Sequence, residues 1–237
     1  MDAETNQLEG HKMRGVKVDV LDHGFTRLVD FMGGDESVVR AARVSYDAAW
    51  RAGENEKSDE KLINYLWKNK HTTPFEAVTF TFEVMAPIFV FRQWHRHRTW
   101  SFNELSARYK ELPELYYVPA PQHIGKQSKD NKQMRDMLPS LSNIYASGLI
   151  DETCKKAFHA YKDLLEEDVP REVARGVLPL NTYSHMFATV NLLNLLKFLT
   201  LRSDIHAQYE IRVYADAMKE LIMPIVPVCL MAWETNP

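Results

Sequence analysis

Between Arg92 and Lys110 the chain gathers four arginines, one lysine and two histidines against a single acid, Glu104. Arginine presents a planar fork of donors that matches a phosphate, and serine hydroxyls such as Ser101 and Ser106 can complete a phosphate's hydrogen-bond shell. Trp94, Trp100, Phe102 and Tyr109 are interleaved with these cations and offer flat faces for a heterocycle. Cations, hydroxyls and aromatic faces in one short stretch are the chemistry of a nucleotide site. A solvated basic surface is the commoner meaning of a charge run. It fits poorly here, because large aromatics and small hydroxyls, not other charges, separate the arginines. His95 and His97 would point the same way on a strand, as metal ligands do. No carboxylate or cysteine set accompanies them, so no metal is expected.

Nucleophiles are scarce. The chain has two cysteines, Cys154 and Cys229, far apart and without CxxC spacing, which excludes a cysteine-based zinc site and gives no sign of a disulfide scaffold. Cys229 lies among apolar neighbours, a setting that raises a thiol's pKa and makes it inert. Cys154 is followed by Lys155 and Lys156 and is remote in sequence from the arginine cluster. Ser106 has no partner base nearby, so it reads as a phosphate ligand. None of the nine glycines falls in a GxGxxG or GxxxxGK pattern. A bound dinucleotide must therefore be held by side chains rather than by a glycine loop.

The elements that hold these residues follow from periodicity. With 237 residues, 45% hydrophobic and 26% charged, the chain can bury a sizeable core, and residues 1–237 read as one domain with 1–15 as an N-terminal extension. A net charge of −3 gives no global argument for nucleic acid or an anionic membrane, and no run of about 18 apolar residues predicts a membrane span. The polar N-terminus has no signal-peptide segment, and a cytoplasmic protein is expected. Alternation predicts strands over 16–21, 25–32 and, most clearly, 77–85, with another over 182–190. Helices are predicted from Asp35 to Val44, over 57–69 with Ser58 as its N-cap, and from Pro87 to about Trp94. Residues 95–110 and 120–140 read as connections, and further helices over 141–167, 170–177, 191–203 and 206–222 make the C-terminal half mainly helical. The expected class is α+β, a mixed sheet with flanking helices. Asn191 and Arg202 stand eleven residues apart, three helical turns and roughly 16 Å along one face of the same helix. The plain alternative is that Asn191 caps this helix and Arg202 pairs with an acid at its end.

Arg96, His97, Arg98, Ser101, Ser106 and Arg108 reproduce the pattern R-H-R-x-x-S-x-x-x-x-S-x-R, which resembles the signature of flavin-dependent thymidylate synthases. Blocks at 41–45, 71–76, 87–90 and 169–175, with Leu201-Arg202 and His206-Ala207-Gln208, resemble the same family in order, over roughly residues 16–215. The resemblance implies methylation of dUMP to dTMP in a homotetramer with shared active sites. FAD reduced by NADPH would be the hydride source, and methylenetetrahydrofolate the carbon donor. It implies FAD contacts at Ser45, Thr73, Arg96, His97, Arg98, Thr99, Glu104, Asn191, Leu193 and Lys197. It implies dUMP contacts at Gln93, Arg96, Glu104, Leu105, Ser106, Ala107, Arg108, Arg202 and, from a neighbouring subunit, Arg175. The implied catalytic residues are Arg202, His71 and Arg96. A fixed guanidinium at Arg202 suits the negative charge that develops on a pyrimidine as its carbon 6 accepts hydride. One departure stands out. Leu193 replaces a cation expected by resemblance, Lys197 replaces a neutral polar contact, and Asn194 or Lys197 is the expected compensation. An RNA-binding module or a flavoprotein acting on another uridine would also fit residues 95–110 alone, but neither explains the ordered blocks elsewhere.

Overall fold

The structure is a computed structural model that describes residues 12–130, 134–136 and 140–236. Strands β1 (Lys17–Val20), β2 (Gly24–Met32), β3 (Thr79–Pro87), β7 (Tyr183–Asn191) and β4 (Ser101–Glu104) pair in the order β1-β2-β3-β7-β4. Every pairing is antiparallel, so the expected mixed sheet is corrected to a fully antiparallel one. The chain still mixes sheet and helix without βαβ alternation, as the α+β expectation requires. Hydrogen-bonded neighbours alternate in direction because β7 returns between β3 and β4, and the connection from β3 to β4 crosses over that strand position.

Alternation in β3 buries Phe80, Phe82, Val84 and Ala86 on one face, beside Met186, Ala188 and Val190 of β7 and Leu28 of β2. Helices α6 (Leu192–Arg202) and α7 (Tyr209–Ile222) complete that core. The opposite face is polar and half-open, with Arg27 donating to Glu83 at 2.8 Å and Thr81 bonded to Thr189 at 3.0 Å. Helix α6 is apolar almost all round: Leu192, Leu193, Leu195, Leu196, Phe198 and Leu199 are buried. Polar chemistry is left to its two ends and to the exposed Lys197 and Thr200 between them.

Several expectations shift by up to three residues, and strand β4 was not expected. Helix α1 (Asp35–Arg43) starts as predicted, with Asp35 and Glu36 in its first turn. Helix α2 (Glu56–Lys68) is capped by Asn55, not Ser58; the Asn55 side chain accepts from the Ser58 backbone N–H at 3.1 Å. Its buried stripe is Ile63, Leu66 and Trp67, whereas Tyr65 faces outward. Pro87 ends β3 and occupies the cap position of α3 (Ile88–Trp94) rather than its first turn. Residues 95–110 contain the edge strand β4, which the expected connection did not include. In 120–140 the described residues hold a two-residue hairpin, β5 (Lys126–Gln127) with β6 (Arg135–Asp136). Residues 131–133, 137–139 and most of the 1–15 segment lie outside the described residues. The long helix α4 (Leu141–Glu166), the short α5 (Arg171–Ala174) and a C-terminal α8 (Pro227–Thr235) complete the chain. Helix α7 begins at Tyr209, three residues later than predicted, because Asp204, His206 and Gln208 use their side chains in the preceding turn.

Asp35 joins the first helix to the last. Its carboxylate accepts from the backbone N–H groups of Val228 at 2.9 Å and Cys229 at 3.0 Å, so it caps α8 across the fold. Among the described residues no helix is long and apolar enough to cross a membrane.

Candidate active site

The C-terminal ends of α3 and α6 meet around Phe198. Its ring stacks on Trp94 at 5.0 Å and lies 5.1 Å from Trp100 and 4.9 Å from His97. Arg202 is four residues further along α6, hence on the same face as Phe198. The guanidinium of Arg202 donates from Nε to His97 Nε2 at 3.0 Å and from Nη2 to the Gln93 carbonyl at 3.4 Å. The apolar hub thus sets the distance between the Arg96-His97-Arg98 turn and Arg202. Among the described residues no acid pairs with Arg202; its partners are an imidazole and a carbonyl.

Electrostatics distinguish this corner. Burial, and then the charge of Arg202, pull the His97 pKa down to about 4, so the ring is neutral at neutral pH. Its Nε2 accepts the Arg202 proton, which assigns its own proton to Nδ1. Burial and the neighbouring charge of Arg96 lower the pKa of Arg202, although an arginine stays charged. Among the described residues the guanidinium groups of Arg92, Arg96 and Arg98 make no ion pair or hydrogen bond. Two guanidiniums held close without a carboxylate among the described residues, and with an imidazole kept neutral, form a corner whose charge suits an anionic group.

The second cluster lies at the end of β4. Glu104 accepts a hydrogen bond from the Ser184 hydroxyl at 2.7 Å, and the Leu105 N–H donates to the His185 carbonyl at 2.7 Å. Ser106 Oγ accepts from the Arg108 backbone N–H at 3.3 Å, a local turn that aims the hydroxyl and the Arg108 side chain. Arg108 pairs with Glu172 at 3.1 Å, with both side chains more than half exposed. Such a pair is worth at most about 1 kcal/mol and is readily exchanged for a phosphate. Arg175 is exposed and unpaired among the described residues, three positions beyond Glu172. Ala107 is buried in a small cluster with Phe158, Tyr161 and Ala174, which seats this turn on α4 and α5.

The third group sits at the N-terminal end of α6. Asn191 is its N-cap, accepting from the Asn194 N–H at 2.9 Å and from the Asn194 side-chain amide at 2.8 Å. The capping half of the plain alternative is therefore realised, while its other half, an acid paired with Arg202, is not seen among the described residues. Thr73 opens the short 3-10 turn before β3, and Leu192 N–H bonds the Val78 carbonyl at 2.8 Å, so Thr73 and Asn191 share one end of the sheet. His71 is exposed with its ring edge-on to Tyr65 at 5.9 Å. Ser45 and Lys197 are exposed, whereas Leu193 is only 4% exposed and packs in the main core, leaving little but its backbone to a ligand. One chain thus joins Gln93, Arg96, His97 and Arg202 in one corner. Glu104 to Arg108 and the His71–Thr73–Asn191 set stand at separate places. His95 and His97 do not share a face: His95 packs against Phe91 and Phe102, while His97 turns to Arg202.

Both thiols are buried. Burial pushes the pKa of Cys154 and of Cys229 upward, and Asp151 and Asp35 respectively add to it. Sequence reading missed the group behind Gln93. Gln208, Glu210, Tyr117 and Arg135 line up there, beside an open pocket of about 440 Å³ walled by Arg135, His206, Gln208, Tyr209 and Arg212. The one signal was Glu210, an acid in the first turn of α7 next to the His206-Ala207-Gln208 block.

Guanidiniums unpaired among the described residues, beside a neutral imidazole, give this antiparallel α+β chain a corner able to receive an anionic ligand. Residues 27–228 match the family model described as thymidylate synthase complementing protein. A flavin-dependent thymidylate synthase of Ehrlichia ruminantium (strain Gardel) is 48% identical over 217 residues, 90% of this chain and 71% of that protein. One of Treponema denticola is 47% identical over 223 residues, 92% of this chain and 81% of that protein. The solved structure of the UMP/dUMP methylase PolB from Streptomyces cacaoi bound with 5-Br dUMP superposes with a TM-score of 0.84 at 34% identity, covering 93% of this chain and 100% of that one. The chain belongs to the flavin-dependent thymidylate synthase family.

Proposed function

We propose that this protein converts dUMP to dTMP, with methylenetetrahydrofolate as carbon donor, FAD as cofactor and NADPH as reductant. The observation that carries this reading is the Arg202 corner. There a guanidinium with no carboxylate partner among the described residues is held by a neutral His97, next to Arg96, which is likewise unpaired among them. The donor set fits a flavin dinucleotide and a nucleoside monophosphate, because both bring phosphates and a flat ring to unpaired arginines. When bound, FAD supplies the hydride chemistry that no side chain here could supply. Identity of 47–48% to thymidylate synthases, against 34% to PolB, favours dUMP over UMP.

In this reading Arg202 faces the pyrimidine and stabilises the negative charge that grows on it, with Arg96 close by. His97 keeps Arg202 in place without adding a charge of its own. Glu104, oriented by Ser184, stands between the two ligands, and Leu105 contributes its backbone. Ser106, Ala107, Arg108 and Arg175 take the dUMP phosphate, Arg108 leaving Glu172 for it. Arg98, Thr99, Lys197 and the backbone of Leu193 lie along FAD with Ser45, Thr73 and Asn191, and His71 stands near the flavin. Carbon 6 is not activated by a thiolate, since both cysteines are buried with raised pKa values.

A homotetramer with shared sites would bring the three groups together. The exposure of Ser45, Thr73, Arg175 and Lys197 supports it, as does the apolar stripe Leu141, Ile144, Tyr145 and Leu149 on the outside of α4. One core runs from Val20 to Trp233, which supports a single domain over 1–237 with 1–15 as an extension. We place the protein in the cytoplasm, where the nucleotide and folate substrates are made. The test is product analysis: protein loaded with FAD, given dUMP, NADPH and methylenetetrahydrofolate, should form dTMP, and omission of any one should stop it. A preparation that retains no flavin and forms no dTMP overturns the proposal.

A further inference from the structure

Behind Gln93 a chain of hydrogen bonds runs to a buried carboxylate. Gln93 Nε2 donates to Gln208 Oε1 at 2.5 Å, and Gln208 Nε2 donates to Glu210 Oε2 at 2.8 Å. The other oxygen of Glu210 accepts from Tyr117 OH at 3.2 Å and from Arg135 Nη2 at 2.7 Å. Glu210 is 1% exposed, and a carboxylate buried to that degree costs several kcal/mol unless donors surround it. Three donors from three elements do so here: the loop after β4, strand β6 and the turn before α7.

The polarity of this chain is fixed from its buried end. Arginine can only donate, and burial together with Glu210 pushes the Tyr117 pKa upward, so its hydroxyl stays protonated and donates. Glu210, accepting from both, turns the amide nitrogen of Gln208 toward itself. Gln208 must then offer its carbonyl oxygen to Gln93, and Gln93 must turn its own amide nitrogen inward. An amide side chain normally flips between two orientations of equal shape; this one has a single choice. Meanwhile the backbone carbonyl of Gln93 receives Arg202 Nη2 at 3.4 Å, so the same residue is held from both sides.

We propose that Glu210 is a positioning residue for the nucleotide site: acting through Gln208, it fixes the orientation in which the Gln93 amide meets the substrate. The inference rests on the reading that Gln93 contacts dUMP. It gives the 120–140 excursion a task, since Arg135 comes from it. It also explains why an acid is tolerated in the core at the start of α7.

The test compares KM and Kd for dUMP with flavin affinity in four variants of the full-length, FAD-loaded enzyme. Gln93→Ala sets the size of the direct contact. Gln208→Leu cuts the chain while leaving Glu210 with Tyr117 and Arg135. Glu210→Gln keeps the shape but frees Gln208 to flip. The exchange Q208E with E210Q restores a carboxylate that takes the Gln93 amide nitrogen. We expect about a ten-fold rise in KM and Kd for dUMP in each single variant, with kcat within about two-fold and flavin affinity unchanged, and recovery in the exchange. If Gln93→Ala weakens dUMP but Gln208→Leu and Glu210→Gln change only thermal stability, the positioning role is wrong and the contact stands. If Gln93→Ala leaves dUMP binding untouched, the contact falls and the proposal with it. Gln208→Leu decides the matter should Glu210→Gln fail to fold.

Discussion

Protonating His97 should break the contact that holds Arg202, and the cost follows from the site's geometry. His97 Nε2 must keep its lone pair to accept from Arg202 Nε at 3.0 Å. A proton there would set two cations nitrogen to nitrogen, which is why the pKa falls from 6.5 to about 4, burial contributing most and the Arg202 charge next. The folded value lies below the unfolded one, so between them the unfolded chain binds more protons. This contribution to stability is complete above pH 6.5 and is lost as pH falls toward about 4. A shift of that size corresponds to roughly 3 kcal/mol if fully expressed. Because the ring remains partly open to solvent, screening reduces it to about 1–2 kcal/mol. His97→Gln can accept the Arg202 proton through its amide oxygen but does not titrate. Urea unfolding of the FAD-free protein at about pH 7.5 and about pH 5 should show a loss of about 1 kcal/mol that His97→Gln lacks. A ring-carbon NMR titration should place His97 well below 6.5, near 4. A His97 that titrates near 6.5, or a variant that loses as much stability on acidification as the parent, refutes the reasoning.

Three further outcomes follow from the same structure. Asp35→Ala removes the cap that α1 lends to α8 and should cost about 1–2 kcal/mol in denaturant unfolding; a loss under about 0.3 kcal/mol would show that the cap is dispensable. Asn191→Asp keeps an oxygen for the Asn194 N–H, whereas Asn191→Ala does not, so only the alanine variant should lose about 1 kcal/mol of stability. If both variants weaken flavin binding alike, as read by fluorescence titration, the amide touches FAD beyond its capping role. A chain with both Cys154→Ser and Cys229→Ser should keep its turnover number once folded, because no step needs a thiolate; a collapse of kcat with intact flavin binding would contradict that.

The most legible parts of the sequence were those whose information is local. Residues 79–87 alternate so strictly that β3 and its buried Phe80, Phe82 and Val84 could be read directly. The ends of α6 were visible as Asn191 and Arg202. Clustering of Arg96, His97 and Arg98 with serines and aromatics pointed to a nucleotide before any coordinates. Strand β4 escaped because its four residues carry one apolar side chain, Phe102, and pair on one side only with β7. The direction of every strand pair was equally hidden, since the helical excursions say nothing of which way the chain returns. Leu193 looked like a missing cation in the sequence, while the fold makes it a core residue. The Gln93–Gln208–Glu210–Tyr117 chain was out of reach because its outer links span 115 and 93 residues, and no periodicity reports a contact of that range.

The most direct measurement is tritium release from dUMP labelled at carbon 5, followed in FAD-loaded protein with and without NADPH and methylenetetrahydrofolate. Release should require both, and Arg202→Ala should abolish it while flavin stays bound with near-parental affinity. Release by the parent protein without a folate donor, or full release by Arg202→Ala, would contradict the assignment of this corner as the place where the pyrimidine reacts.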